Sequence, residues 1–147
     1  MNYFFDTSAL AKIYHQEDES EKVVAIFNSG HDDIFVSELS TIEYYSIVYR
    51  KFREKRIDVT GLGKILKRFE IDLSKRLQLL MFSSSVMEDA RNAFHVLGQE
   101  VFVRSLDIIQ IGFFKSYLES SDIFLTFDSR QSLALEELKK KNFFNSD

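Results

Sequence analysis

The sequence predicts an α/β fold, a three-layer α/β/α domain with a mostly parallel central sheet of four or five strands. Three observations lead there. Short, continuous apolar runs such as Tyr3-Phe4-Phe5 and Ile123-Phe124-Leu125 have the pattern of strands buried on both faces. Each run is followed by a stretch with helical spacing, which is the alternation of successive βα units. Two of the runs end in an acid, Asp6 and Asp128, and in open α/β sheets ligands bind outside the carboxyl ends of the strands.

The elements follow in order. After the first strand, Ser8 to His15 is expected to be a short helix. A polar connection over 16–20 leads to a second helix from Glu19 to Asn28, with Val23, Val24, Ile26 and Phe27 as its apolar contacts. Gly30 supplies the left-handed residue that ends it. Ile34 to Ser37 is the second strand. The third helix, Ser37 to Arg53, carries Leu39, Ile42, Ser46 and Tyr49 at helical spacing, and these are expected to form its buried stripe. Glu43 lies at the edge of that stripe. The basic cluster from Arg50 to Arg56 suits the negative end of the helix dipole. A fourth helix, Thr60 to Ser74, sets Leu62, Ile65, Leu66 and Phe69 against Lys64, Lys67 and Arg68. The third strand covers 77–82, and serines 83–85 cap a helix that runs to Leu97 and stops at Gly98. A longer helix from Arg104 to Ser121, a strand over 123–127 and a last helix from Ser129 to Lys141 complete the order. No linker or internal repeat interrupts it, so residues 1–147 are expected to form one domain.

Composition narrows the chemistry. At 147 residues with 45% hydrophobic and 29% charged side chains, the chain has the make-up of a globular protein. No run approaches the roughly 18 apolar residues that a membrane span requires. Met1-Asn2-Tyr3 lacks the basic start of a signal peptide, so a cytoplasmic location is expected. There are no cysteines, and the three histidines, His15, His31 and His95, are scattered. Disulfides, thiol catalysis and zinc sites built on cysteine or paired histidine are thereby excluded. A metal held by this chain would be held by carboxylates, which favours magnesium or manganese. The net charge of −4 is uneven: residues 1–49 hold two basic and nine acidic side chains, residues 50–76 ten and four, and residues 77–147 seven and ten. The middle segment is the one candidate for contact with nucleic acid, although a solvated helical face is the commoner use of such a segment.

Four acids carry the functional argument, and each has a structural alternative. Asp107 lies on a helical face with Val103, Ile111 and Phe114. A carboxylate there must pair or bind a metal; Arg104 three residues earlier and Gln110 three residues later are the ordinary partners. Asp128 and Gln131 have the spacing of a capping box. Asp6 can cap the first helix. Glu43 alone is an ordinary surface glutamate.

Taken together, in order, the acids change that balance. Asp6 in Phe-Asp-Thr-Ser-Ala-Leu, Glu43 in Val-Ser-Glu-Leu-Ser-Thr-Ile-Glu-Tyr, Asp107 in Val-Arg-Ser-Leu-Asp-Ile-Ile-Gln-Ile-Gly and Asp128 in Leu-Thr-Phe-Asp-Ser-Arg resemble the motifs of PIN-domain ribonucleases, most closely VapC-type toxins of bacterial toxin–antitoxin pairs. The resemblance runs from residue 2 to about 138. It implies that Asp6 and Asp107 are the central metal ligands, that Glu43 completes the site or orients water, and that Asp128 is the more variable fourth acid. It implies orienting roles for Ser8 and Thr126, and Arg104 falls where the family often carries an arginine. It further implies Mg²⁺ (with Mn²⁺ as a substitute), hydrolysis of phosphodiesters in structured RNA such as tRNA or rRNA, a homodimer, a VapB-like antitoxin and no membrane association. Ile108 and Ile109 replace the usual small residues after the third acid, and the usual glycine is missing from the Lys139–Asn142 stretch. A PIN nuclease of RNA processing and an inactive PIN-fold binding module are the alternatives. A phosphatase of the haloacid dehalogenase type also begins with a strand-end Asp, but its chemistry needs a second Asp where this chain has Ser8.

Overall fold

The computed structural model describes residues 1–145. Its elements run β1 (Tyr3–Phe5), α1 (Thr7–Tyr14), α2 (Ser20–Ser29), β2 (Ile34–Ser37), α3 (Glu38–Arg53), α4 (Val59–Lys75), β3 (Gln78–Leu80), α5 (Ser84–Leu97), α6 (Ser105–Tyr117), β4 (Ile123–Leu125) and α7 (Ser129–Lys140). The four strands form one sheet in the order β3-β2-β1-β4, parallel at every pairing. The fold is thus the expected α/β, with four strands among the described residues.

Alternation along the central strand separates two cores. Phe4 joins the cluster built by α5, α6 and α7, with Val86, Ile111, Phe114 and Leu138. Phe5, on the opposite face, joins Leu10, Val23, Tyr44, Val48 and Phe69 from α1 to α4. Both phenylalanines are fully buried, so β1 is the spine between two helical layers.

Most boundaries match the expectation to within a residue or two. Gly30 ends α2 with φ of 67°, the left-handed value that glycine tolerates. Ser83 accepts a hydrogen bond from the Val86 amide and opens α5. The long helix expected from 104 to 121 ends earlier, at Tyr117. The expected stripe of α3 is corrected. Leu39 is buried, but Ile42 is 64% and Tyr49 44% exposed, and Ser46 is exposed too. The buried face is Ser40, Tyr44, Val48 and Lys51. It is rotated because Tyr44 packs on Phe69 and Ser40 enters a buried polar network.

Helix α6 lies so close to α5 that a Cβ at Gly112 would run into the Val86 carbonyl.

Candidate active site

The strand order places a topological switch point between β1 and β4, because the chain proceeds from β1 to β2 and β3 on one side and returns to the other for β4. Such a crevice is where an open α/β sheet binds ligands. Asp6 follows β1 and Thr126 follows β4, and the two ends are stitched together. The Asp6 amide donates to the Leu125 carbonyl at 3.2 Å. Ser8 Oγ donates to Asp6 Oδ1 at 2.6 Å and accepts from the Phe127 amide at 2.8 Å. Thr126 Oγ1 lies 3.4 Å from Ser8 Oγ and accepts from the Asp128 amide at 3.1 Å. Ser8 and Thr126 therefore lie against the acids at the strand ends.

An open pocket of about 440 Å³ gathers all four acids, Asp6, Glu43, Asp107 and Asp128, with Arg104 and Gln110. Their environments differ. Asp6 is buried, and its Oδ1 also caps α1 by accepting from the Ala9 amide at 3.1 Å. Its partners are hydroxyls and amides, not cations. Burial outweighs these hydrogen bonds and pushes its carboxyl up to about 6. Glu43 Oε1 accepts from Thr7 Oγ1 at 2.8 Å and from Gln110 Nε2 at 3.0 Å; it is far from an unattached surface glutamate.

Asp107 and Asp128 share one cation. Arg104 Nε donates to Asp107 Oδ2 at 2.8 Å and its guanidinium reaches Asp128 Oδ2 at 3.2 Å. The bond to Asp107 is the main cause that raises the arginine further above its ordinary value. Of the two ordinary partners foreseen for Asp107, Arg104 is used and Gln110 is not. Asp128 does cap α7, accepting from the Arg130 and Gln131 amides. The return half of a capping box is absent, since the Gln131 side chain instead donates to the Asp107 carbonyl at 3.0 Å. That bond ties the first turns of α6 and α7 together.

The acids form an all-oxygen donor set, which fits magnesium or manganese. Among the described residues no three acidic or histidine side chains form a ready-made ion cage. The open pocket leaves room for water to complete a shell, as magnesium prefers, and the guanidinium between Asp107 and Asp128 stands where positive charge is wanted.

The PIN domain family matches residues 3–135. The chain belongs to that family. No match is found among curated proteins. Several solved structures share the fold at low identity. The VapC20 toxin of Mycobacterium tuberculosis, described as cleaving the sarcin–ricin loop, is 17% identical with a TM-score of 0.66 over 90% of this chain and 95% of that one. FitAcB of Neisseria gonorrhoeae is 16% identical with a TM-score of 0.69, covering 91% and 93%. VapBC2 of Rickettsia felis, bound to a DNA fragment from its promoter, is 13% identical with a TM-score of 0.64, covering 95% and 92%.

In this PIN domain, one central residue was not foreseen in its role. Gln110, buried between layers, accepts from Ser37 Oγ at 2.7 Å and donates to Ser40 Oγ at 2.9 Å as well as to Glu43. The only sequence signal was a glutamine on an apolar helical face, three residues after Asp107.

Proposed function

We propose that the chain is a metal-dependent endoribonuclease, the toxin of a VapBC-type pair, that hydrolyses phosphodiesters in structured RNA. The observation that carries this is the convergence of Asp6, Glu43, Asp107 and Asp128 on one open pocket at the carboxyl edge of the sheet, in a PIN-family chain. Membership of a family with VapC20 and VapBC2 among its structural neighbours supports a toxin with a cognate VapB-like antitoxin. A homodimer is the assembly we expect on the same ground.

Asp6 and Asp107 would hold Mg²⁺, directly or through water, with Glu43 and Asp128 at the rim. The ion would supply charge neutralisation at the phosphate and a more acidic bound water. The chain's own contribution is positional. Ser8 and the Ala9 amide fix the rotamer of Asp6. Thr7 and Gln110 hold Glu43 with one oxygen engaged and its second oxygen free to orient water. Arg104 pairs with the two outer acids and lines the pocket that a phosphate would enter. Arg50 adds a further cation to the wall.

The test is incubation of antitoxin-free protein with total tRNA and ribosomal RNA in Mg²⁺ or Mn²⁺, with chelator and Asp6→Asn controls. Discrete fragments that need metal and vanish in the variant are expected. Full-length RNA under every metal, or equal cleavage by the variant, would overturn the proposal.

A further inference from the structure

Beside the acidic pocket lies a second cavity of about 330 Å³, and the two share Ser8, Ile47 and Arg50 in their walls. Its sign is opposite. Lys12, Arg50, Lys51 and Arg56 line it against a single carboxylate, Glu17. Two of those cations are buried: Lys12 is 9% and Lys51 8% exposed. Burying an ammonium is costly unless it is paired and hydrogen-bonded. Lys12 meets that condition. Its Nζ donates to the Asp18 carbonyl at 2.7 Å and to Glu17 Oε2 at 3.4 Å, and it lies 4.9 Å from the centre of the Phe127 ring. Lys51 does not. Its one carboxylate neighbour is Glu17 Oε1 at 3.6 Å, beyond hydrogen-bond distance, and Glu17 is already shared with Lys12. The excess of positive charge is felt nearby: His15 is held below its ordinary value by burial first and then by Lys51.

Lys51 thus turns an ammonium without a hydrogen-bond partner among the described residues onto a cavity whose cations outnumber its one carboxylate. The cavity adjoins the acids through Ser8, the residue that orients Asp6, so an anion in it would stand next to whatever Asp6 addresses. We propose that this cavity is a phosphate subsite, in which Lys51, with Lys12, Arg50 and Arg56, receives a backbone phosphate of the RNA neighbouring the one presented to the acids. This rests on the nuclease function proposed above and adds the means by which an acidic protein holds a polyanion. The acids repel the substrate's backbone everywhere except where a cation intervenes, and the basic cavity fixes the strand's register one step from the site of cleavage.

The variant to make is Lys51→Met, which keeps the apolar stem and leaves Glu17 paired with Lys12. Arg56→Gln is the second variant, on an exposed side chain. Lys64→Gln, on the exposed face of α4, is the control for a simple change of charge. Binding of labelled total tRNA, the structured RNA of the cleavage test, is followed by fluorescence anisotropy in chelator across a salt series. Lys51→Met is expected to weaken binding about tenfold at low salt. It should also lower the slope of log affinity on log salt by about 0.7–0.9, the range for one phosphate contact on single-stranded and duplex nucleic acid. Arg56→Gln should act in the same direction and Lys64→Gln should not.

In parallel, inorganic phosphate should raise the melting temperature of the wild type and leave that of Lys51→Met unmoved. RNA binding with identical affinity and slope in wild type and Lys51→Met overturns the subsite and leaves the nuclease function standing. Phosphate stabilisation specific to the wild type, without any RNA binding, upholds an anion site and overturns the nuclease function. Neither effect overturns both. Selective loss of binding to a poly-glutamate peptide, with RNA binding intact, would assign the cavity to an acidic protein partner and overturn the RNA subsite.

Discussion

The two halves of the acidic pocket are built on different principles. Asp6 and Glu43 are held by neutral donors: Ser8, the Ala9 amide, Thr7 and Gln110. Asp107 and Asp128 share a cation, Arg104, that is itself half exposed, although Asp128 also accepts from the Arg130 and Gln131 amides. Neutral donors fix geometry without cancelling charge. The cation cancels charge but occupies the space between its partners. The inner half is therefore rigid and short of positive charge, and the outer half is neutralised by a group free to leave. A pocket arranged in this way is ready for a cation to arrive beside Asp6 and for the arginine to turn from Asp107 toward an anion.

The largest effect expected is on cleavage. Asp6→Asn and Asp107→Asn keep the size of the side chain and remove one charge from the inner and the outer half respectively. Each should lower single-turnover cleavage by at least about 100-fold, because the charge stabilisation a bound metal supplies is worth several kcal/mol. A loss confined to one of the two would show that the halves are not used together.

Next in size is the loss of the neutral scaffold. Gln110→Leu fills the same volume but leaves Ser37, Ser40 and Glu43 without their shared partner in a buried setting. Unmet buried polar groups make this cost roughly 2–4 kcal/mol, seen as a fall of roughly 5–10 °C in Tm. An unchanged Tm would mean that water replaces the glutamine and that the inner half is less rigid than its bonds imply.

How much of this was legible in the sequence divides along the same line. The strand-end acids were readable because strand, acid and helix are consecutive in the chain. The fold was readable because each βα unit is local. Long-range polar contacts were not. Gln110 meets Ser37 across 73 positions and Arg104 meets Asp128 across 24, and no periodicity encodes such meetings. The stripe of α3 was misplaced for a related reason. Its buried face contains Ser40 and Lys51, residues that do not count as apolar in a pattern, whereas Ile42 and Tyr49 do and are exposed.

The third effect is on stability and has the opposite sign to the first. The Asp6 carboxyl is raised from 3.8 to about 6 in the fold. Between those values the folded state holds a proton that the unfolded state has released, so folding is favoured at low pH and that advantage is lost as pH rises through about 6. In chelator, the wild type should lose roughly 2–3 kcal/mol across this interval. Asp6→Asn caps α1 as well as Asp does but carries no charge, so its stability should stay flat there and exceed that of the wild type at neutral pH. Denaturant melts at pH 4.5 and 7.5 check this. A residue that cleavage is expected to need would then be one the metal-free fold is better off without, as happens where function is built against stability. Parallel pH profiles for the two proteins would place the titrating group elsewhere.

The smallest effect tests the outer half. Arg104→Gln removes an exposed cation whose ion pairs hold no part of either core, so Tm should barely move. Its carboxylate partners, however, are released. If the guanidinium stands in for a metal, Mn²⁺ should bind the variant about three- to fivefold more tightly than the wild type, the scale of exposed ion pairs that no longer have to be broken. Calorimetric titration measures this without any RNA present. Cleavage should move the other way, since the variant loses a cation from the pocket that a phosphate would enter. Tighter metal binding with slower cleavage separates the two duties of Arg104, guarding the empty acids and meeting the substrate. Weaker metal binding in Arg104→Gln would show that the arginine organises Asp107 and Asp128 for the ion and does not compete with it, and the contrast between a fixed inner half and a yielding outer half would fall.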